Sequence, residues 1–293
     1  MALPEFDYVA AKSLEEASKL ASEKGDKCIF MAGGTDVILK IRDRKLKDVD
    51  TVIDIKNIPD MDQIEFIEGE GLKVGALVKL YDIQNSDVVK KNIPALAKAA
   101  HYVASAQIRR KGTMVGNICN ASASADTAGI LLSMNAKINT YSTDGGRQIA
   151  IDDFFVGAGK TCLDKSKGEI VTSVLIPELK SGQGSGYFKH SVRKAMDIAI
   201  VGLAAWVKLD GKKIEDCRLS MASVGPTTMR ALEAEKILIG QEFSEDIIEK
   251  AGQAAAKECK ARSGVRAGED YKRDMIRVYT KRALREAVET VKA

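Results

Sequence analysis

The sequence predicts an α+β chain in two parts. Two observations carry this. The first fifty-odd residues read helix, strand, helix, strand, and the strand CIFMA at 28–32 runs straight into Gly33-Gly34. From residue 178 the character changes: three long strand-like segments come first and helices fill the rest. With 293 residues, 45% of them hydrophobic, there is enough apolar material for one large or two medium domains.

Each element has a local reason. Ser13-Leu14-Glu15-Glu16 is a capping box, followed by Leu14, Ala17, Leu20 and Ala21 at helical spacing and stopped by Gly25. VILKIRDR after the glycines reads as helix, and TVIDI at 51–55 as a second strand. GLKVGALV at 71–78 is a strand, and LYDIQNSDVV and IPALAKAAHYVAS are helical. TAGILLSM is a helix, AKINTY and RQIAI pair around the turn TDGG, and EIVTSVLIP at 169–177 is a strand stopped by Pro177. ELKSGQGSG is a polar, Gly-rich connection and the expected boundary. GYFKHSVRK, IAIVGLAAWVKL and KIEDCRLSMASVG are three strands, the last two joined through Asp210-Gly211. Helices follow over RALEAEKILIG and SEDIIEKAGQAAAKECKA. A terminal helix carries Ile276, Tyr279, Ala283, Leu284, Ala287, Val288 and Val291 on a stripe expected to face the core.

Composition removes several function classes. The formal net charge is +4 with both signs interspersed, which gives no basic patch for nucleic acid. KRDMIRVYTKRALREAV at 272–288 reads as a solvated helix face. The five cysteines, at 28, 119, 162, 217 and 259, form no CxxC, and His101 and His190 stand apart, so no metal site is expected. Scattered free thiols suit a reducing, cytoplasmic setting. The N-terminus lacks the n- and h-regions of a signal peptide, and no apolar run approaches the ~20 residues of a membrane span.

Two stretches of small residues stand out: AGGTD at 32–36 and GTMVGNICNASASAD at 112–126. Neither is a GxGxxG dinucleotide fingerprint or a P-loop. Their unhindered N–H groups suit a diphosphate gripped from two sides, and two ordinary structural turns would read the same way. Asp126 suits a ribose hydroxyl or an adenine amine, or an N-cap for the next helix.

Taken in order, these residues resemble the FAD-binding medium subunit of the molybdenum hydroxylases, and most nearly that of bacterial xanthine dehydrogenase. AGGTD resembles the first FAD pyrophosphate loop, and QIRRKGTMVGNICNASASAD at 107–126 resembles the family's second. GAGK at 157–160 after Phe154-Phe155, FKHSVRKAMDIAIVG at 188–202 and RLSMASVGPTTMRA at 218–231 resemble further family segments. The resemblance implies a two-subdomain FAD-binding region of the vanillyl-alcohol-oxidase (PCMH) type over 1–177, with subdomains of about 1–56 and 57–177. It further implies a C-terminal domain over 178–293 with a three-stranded antiparallel sheet and helices.

The same resemblance implies roles. The backbone of Ile29, Phe30, Met31, Ala32, Gly33, Gly34, Thr35 and Asp36 would hold the diphosphate from one side. That of Thr113, Met114, Val115, Gly116 and Asn117 would hold it from the other. Asp126 would contact the adenosine half, Ile170 or Val171 would pack near the isoalloxazine, and Lys189 would lie by the flavin. Val115 stands where the family has glycine, and its Cβ is expected to narrow the approach to phosphate. No residue of this chain is expected to act on substrate.

Electrons would come from [2Fe–2S] clusters on a small subunit, fed by a molybdopterin-binding large subunit, and leave to NAD or another acceptor. Xanthine is the expected substrate; a carbon monoxide, nicotinate or aldehyde hydroxylase is the alternative, as is a stand-alone flavin oxidoreductase. Assembly as a heterotrimer, doubled into a dimer of heterotrimers, is also implied by the resemblance. The cysteine-bearing insertion of the 4-hydroxybenzoyl-CoA reductase branch has no counterpart here.

Overall fold

A computed structural model describes residues 3–292. Three strands open the chain: β1 (Asp7–Ala10), β2 (Cys28–Met31) and β3 (Thr51–Asp54). They form a parallel sheet in the order β1-β3-β2, with Thr51 in register with both Asp7 and Cys28. β3 is buried along its whole length, as befits the centre of a parallel sheet. The helix Leu14–Lys24 crosses between β1 and β2; the Ser13 hydroxyl accepts from the Glu16 N–H at 3.1 Å, and Gly25 ends it at φ +56°. β1 has no counterpart in the sequence reading. Four residues are too few to show a period.

The next sheet is antiparallel. It uses β4 (Ile64–Ile67), β5 (Gly71–Gly75), β6 (Lys137–Tyr141) and β7 (Gln148–Ala150). The short hairpin β8 (Phe155–Gly157) and β9 (Lys160–Thr161) follows, then β10 (Ile170–Pro177). The order is β4-β5-β10-β6-β7, so the late strand β10 sits in the middle, with most of its residues buried and none exposed. β6 and β7 pair around the TDGG turn as expected.

The C-terminal sheet is antiparallel, with β11 (Gln183–His190), β12 (Val201–Asp210), β13 (Lys213–Ala222) and β14 (Met229–Arg230) in that order. The three expected strands are present, and the two-residue β14 adds an edge. Asp210 pairs with Lys213 across the Gly211 turn.

Part of the presumed connection ELKSGQGSG is strand, because β11 starts at Gln183. Its glycines have a packing reason. A Cβ on Gly184 would lie 2.0 Å from the Ala287 carbonyl oxygen, and one on Gly186 2.4 Å from that of Ala283. The terminal helix, Glu269–Glu289, thus lies directly on the strand backbone, burying Ile276, Thr280, Ala283, Leu284 and Ala287. The stripe faces the core. Helices Leu232–Leu238 and Glu245–Glu258 complete that layer.

Two large cores result. One spans residues from Ala11 to Ala204, the other from Ile200 to Ala287. The helix Asp126–Ser133 lies where they meet, and all eight of its residues are buried. The Ser220 hydroxyl on β13 donates to the Gly129 carbonyl at 2.7 Å, and the Arg218 guanidinium donates to that of Leu132.

Candidate cofactor-binding site

The two small-residue segments meet in space. β2 delivers Ala32–Asp36 at the carboxyl edge of the parallel sheet, the edge where open α/β sheets bind ligands. A Cβ on Gly33 would lie 2.0 Å from the Lys111 carbonyl oxygen, so only glycine permits the contact. Gly34 turns the chain at φ +72°. The loops are also tied by side chains: Lys40 Nζ donates to Asn120 Oδ1 at 2.5 Å, and Asn120 Nδ2 donates to Asp36 Oδ1 at 3.2 Å.

Beside this junction lies a cleft of about 420 Å³. Ala32 and Gly33 from the first loop and Lys111 and Thr113 from the second line it, together with the segment after β3. Among the described residues the N–H groups of Gly33, Gly34 and Thr35 have no hydrogen-bond partner. Consecutive free N–H groups next to a cleft are an anion-binding arrangement.

The second segment is less open than its composition suggests. Thr113 caps a short helix, Met114–Cys119, its Oγ1 accepting from the Gly116 N–H at 2.9 Å. The Asn117 N–H donates to the Thr113 carbonyl at 3.0 Å. These two expected phosphate donors are therefore engaged within the helix. Asn117 Oδ1 accepts from the Thr127 hydroxyl at 2.7 Å. Met114 and Val115 are buried in the main core. The Val115 side chain is turned into protein, which corrects the expectation that it narrows the approach to the loop.

Asp126 does not cap its helix; Ala125 holds the N-cap position. Its carboxylate accepts from the Tyr187 hydroxyl at 3.0 Å and from Lys189 Nζ at 2.9 Å. Lys189 also donates to the Tyr102 carbonyl at 3.0 Å. The Lys189 and Asp126 side chains are only 3% and 8% exposed. Burial pushes the Asp126 carboxyl up, against the pull of Lys189 and Tyr187. Burial and the Asp126 charge push the Tyr187 phenol well up.

Asp126, expected at the adenosine half, and Lys189, expected by the flavin, are thus paired with each other in the interior. Ile170 and Val171 are 2% and 4% exposed in the main core and do not line the cleft. Of Ile29, Phe30 and Met31, Met31 is buried and the others half-buried, with Ile29 and Met31 in a small core of their own.

Sequence reasoning missed Lys56, Asn57, Lys79 and Lys111, all at the cleft. They come from three separate segments and form no local motif. Lys111 alone lay inside a quoted stretch. The free N–H groups, the close loop contact and the cleft lysines, set beside Asp62 and Asp82, fit a diphosphate-bearing cofactor such as FAD.

Comparison with known proteins agrees. Residues 4–179 match the FAD binding domain in molybdopterin dehydrogenase, and residues 186–287 match the CO dehydrogenase flavoprotein C-terminal domain. The glyceraldehyde dehydrogenase medium chain of Sulfolobus acidocaldarius is 33% identical over 97% of this chain and 98% of its own. The xanthine dehydrogenase FAD-binding subunit of Escherichia coli is 30% identical over 97% of each. A carbon monoxide dehydrogenase structure from Hydrogenophaga pseudoflava superposes with a TM-score of 0.94 at 29% identity, covering both chains fully. Both family models, in order along the chain, and these full-length relatives lead to one conclusion: the chain belongs to the FAD-binding medium subunits of the molybdenum hydroxylases, a family of oxidoreductase subunits.

Proposed function

We propose that this chain is the electron-transfer medium subunit of a heterotrimeric molybdenum hydroxylase. The reading rests on one observation above all: Gly33 and Lys111 bring two small-residue loops together beside a cleft with free N–H groups. FAD bound there supplies a carrier that accepts electrons singly and releases them as a pair. The chain's part is to bind and orient it. Residues 1–177 are read as the FAD-binding region, with subdomains of about 1–56 and 57–177, and 178–293 as the C-terminal domain.

In this reading the partners are a small subunit with [2Fe–2S] clusters and a molybdopterin-binding large subunit, the acceptor is NAD, and the setting is cytoplasmic. Among the described residues no helix is long and apolar enough to cross a membrane. Substrate oxidation belongs to the large subunit. Xanthine is the first substrate to test, on the strength of the Escherichia coli relative. An aldehyde is the second, because the Sulfolobus relative is a glyceraldehyde dehydrogenase medium chain of similar identity.

Lys189, held by Asp126, is placed by this reading at the flavin end, where its positive charge raises the flavin's reduction potential. Lys189→Met then lowers that potential; an unchanged value separates the lysine from the flavin.

The first experiment is the visible spectrum of the purified chain and identification of what heat releases from it. Flavin bands with released FAD support the reading, and failure to take up added FAD opposes it. Turnover by the complex co-expressed with its partners, assayed with xanthine and with glyceraldehyde and with NAD or a dye as acceptor, then separates the substrates.

A further inference from the structure

We infer that Arg109 is a cation left uncompensated in the interior to meet the negative charge that the flavin gains on reduction. This rests on the FAD reading above and on its placing of Lys189 at the flavin end. Among the described residues Arg109 is the most buried arginine or lysine, 8% exposed, and it makes no salt bridge. Lys189 and Arg218, also largely enclosed, are paired with Asp126 and Asp152. Arg109 has only the Val103 carbonyl, which accepts from its Nη1 at 2.9 Å, and its Nε is buried without a partner. Burial pulls its pKa down, and no acid offsets the pull.

Two adjacent carbonyls fix where this charge sits. At the end of helix Pro94–Tyr102, Lys189 Nζ donates to the Tyr102 carbonyl and Arg109 donates to the next one, that of Val103. Two cations therefore converge on one helix C-terminus. Asp126 cancels one of them. The helix end itself offers only about half a negative charge. A positive surplus remains, and a buried surplus is costly until something negative completes it. A neutral donor would hold the Val103 carbonyl at less cost, so the charge itself has a use. Arg109 also sits just before the second loop. A Cβ on Gly112 would lie 3.4 Å from Thr35 Oγ1, so this segment abuts the first loop too. The arginine is thus tied on one side to the loops beside the cleft and on the other to the helix end that holds Lys189.

The test compares three variants of the full chain. Arg109→Gln is neutral but still a donor, Arg109→Met is neutral and apolar, and Arg109→Lys keeps the charge. Two quantities are measured: denaturant unfolding without flavin, and the affinity for reduced against oxidised FAD from a redox titration. Without flavin, Arg109→Met unfolds at the parent's denaturant concentration or above, because an uncompensated charge has gone. With FAD, the Gln and Met variants lose about tenfold of the preference for the reduced form, about 30 mV for two electrons, and Arg109→Lys restores it. The same loss appears in the background Asp126→Asn/Lys189→Met, where neither member of the pair is charged.

Neutral variants that keep the parent's preference overturn the inference while the FAD reading stands, whatever their unfolding. So does a loss that vanishes in the double-variant background, since Arg109 would then act only by placing Lys189. A chain that takes up no FAD, free or in its co-expressed complex, overturns the FAD reading and the inference with it. Should Arg109→Met not fold, Arg109→Gln against Arg109→Lys gives the decision.

Discussion

Thr113 and Asp126 stand near the two ends of one small-residue stretch, in opposite surroundings. At the Thr113 end the backbone borders an open cleft, and the nearby glycine loop keeps three N–H groups without partners among the described residues. At the Asp126 end a carboxylate, an ammonium and a phenol satisfy one another in the interior. The first end leaves backbone donors beside a cleft, as the proposed cofactor site requires. The second has its polar side chains satisfied within the protein, where the two cores meet. Small residues serve both purposes, so composition alone cannot separate them.

Breaking the buried end should have the largest effect. Asp126→Asn strands the Lys189 ammonium in the interior and is expected to cost about 3–5 kcal/mol in denaturant unfolding. The double variant with Lys189→Met removes the stranded charge and should recover most of that loss. If it does not, the pair is not an isolated unit.

At the open end, Gly33→Ala forces a Cβ to within 2.0 Å of the Lys111 oxygen. The loops must part. Flavin uptake should fall sharply while unfolding loses about 1–3 kcal/mol, the usual cost of overpacking. A stability loss with normal flavin uptake would show that the loop contact does not shape the site.

A third region sharpens the contrast, because it is buried, charged and far in sequence from both loops. Glu169 accepts from Arg147 Nε at 2.7 Å, from the Asp164 N–H at 2.8 Å and from the Thr140 hydroxyl at 2.8 Å. Burial alone would raise its carboxyl, but these bonds prevail and hold it at about 2, below the ordinary 4.5. A depressed carboxyl adds stability that is present above its unfolded value and lost as pH falls through the folded one. The parent should therefore lose stability between about pH 4.5 and 2, and Glu169→Gln, expected to cost about 2 kcal/mol, should flatten that part of the profile.

The smallest effect is local. Thr113→Val removes the N-cap of the Met114–Cys119 helix and should cost about 1 kcal/mol, the usual price of a cap.

Much of this was legible in the residues. The Ser13 N-cap, the Asp210-Gly211 hairpin, the strand ending at Pro177 and the terminal stripe are local signals with one geometric solution, and each forms, although Glu16 takes the Lys12 N–H and not the Ser13 N–H of a full capping box. The two glycine loops were legible as a pair. What escaped was non-local or too short. β1 and β14 have four and two residues, too few for a pattern, and exist because a neighbouring strand offers an edge. The helix Met114–Cys119 hides among residues of low helix propensity and depends on the Thr113 hydroxyl. The Asp126–Lys189 contact joins residues 63 apart, and nothing near either residue announces the other. The cleft lysines have the same difficulty.

The buried helix Asp126–Ser133 also bears on how the chain is made. Its Asp126 leaves the ribosome well before Tyr187 and Lys189, the groups that satisfy it. The strands that cover the helix, β11, β12 and β13, arrive later still, so until then its Asp126 face stays open to water. A chain truncated before β11 lacks both the cover and the partners, and in it Asp126 remains a solvated carboxylate.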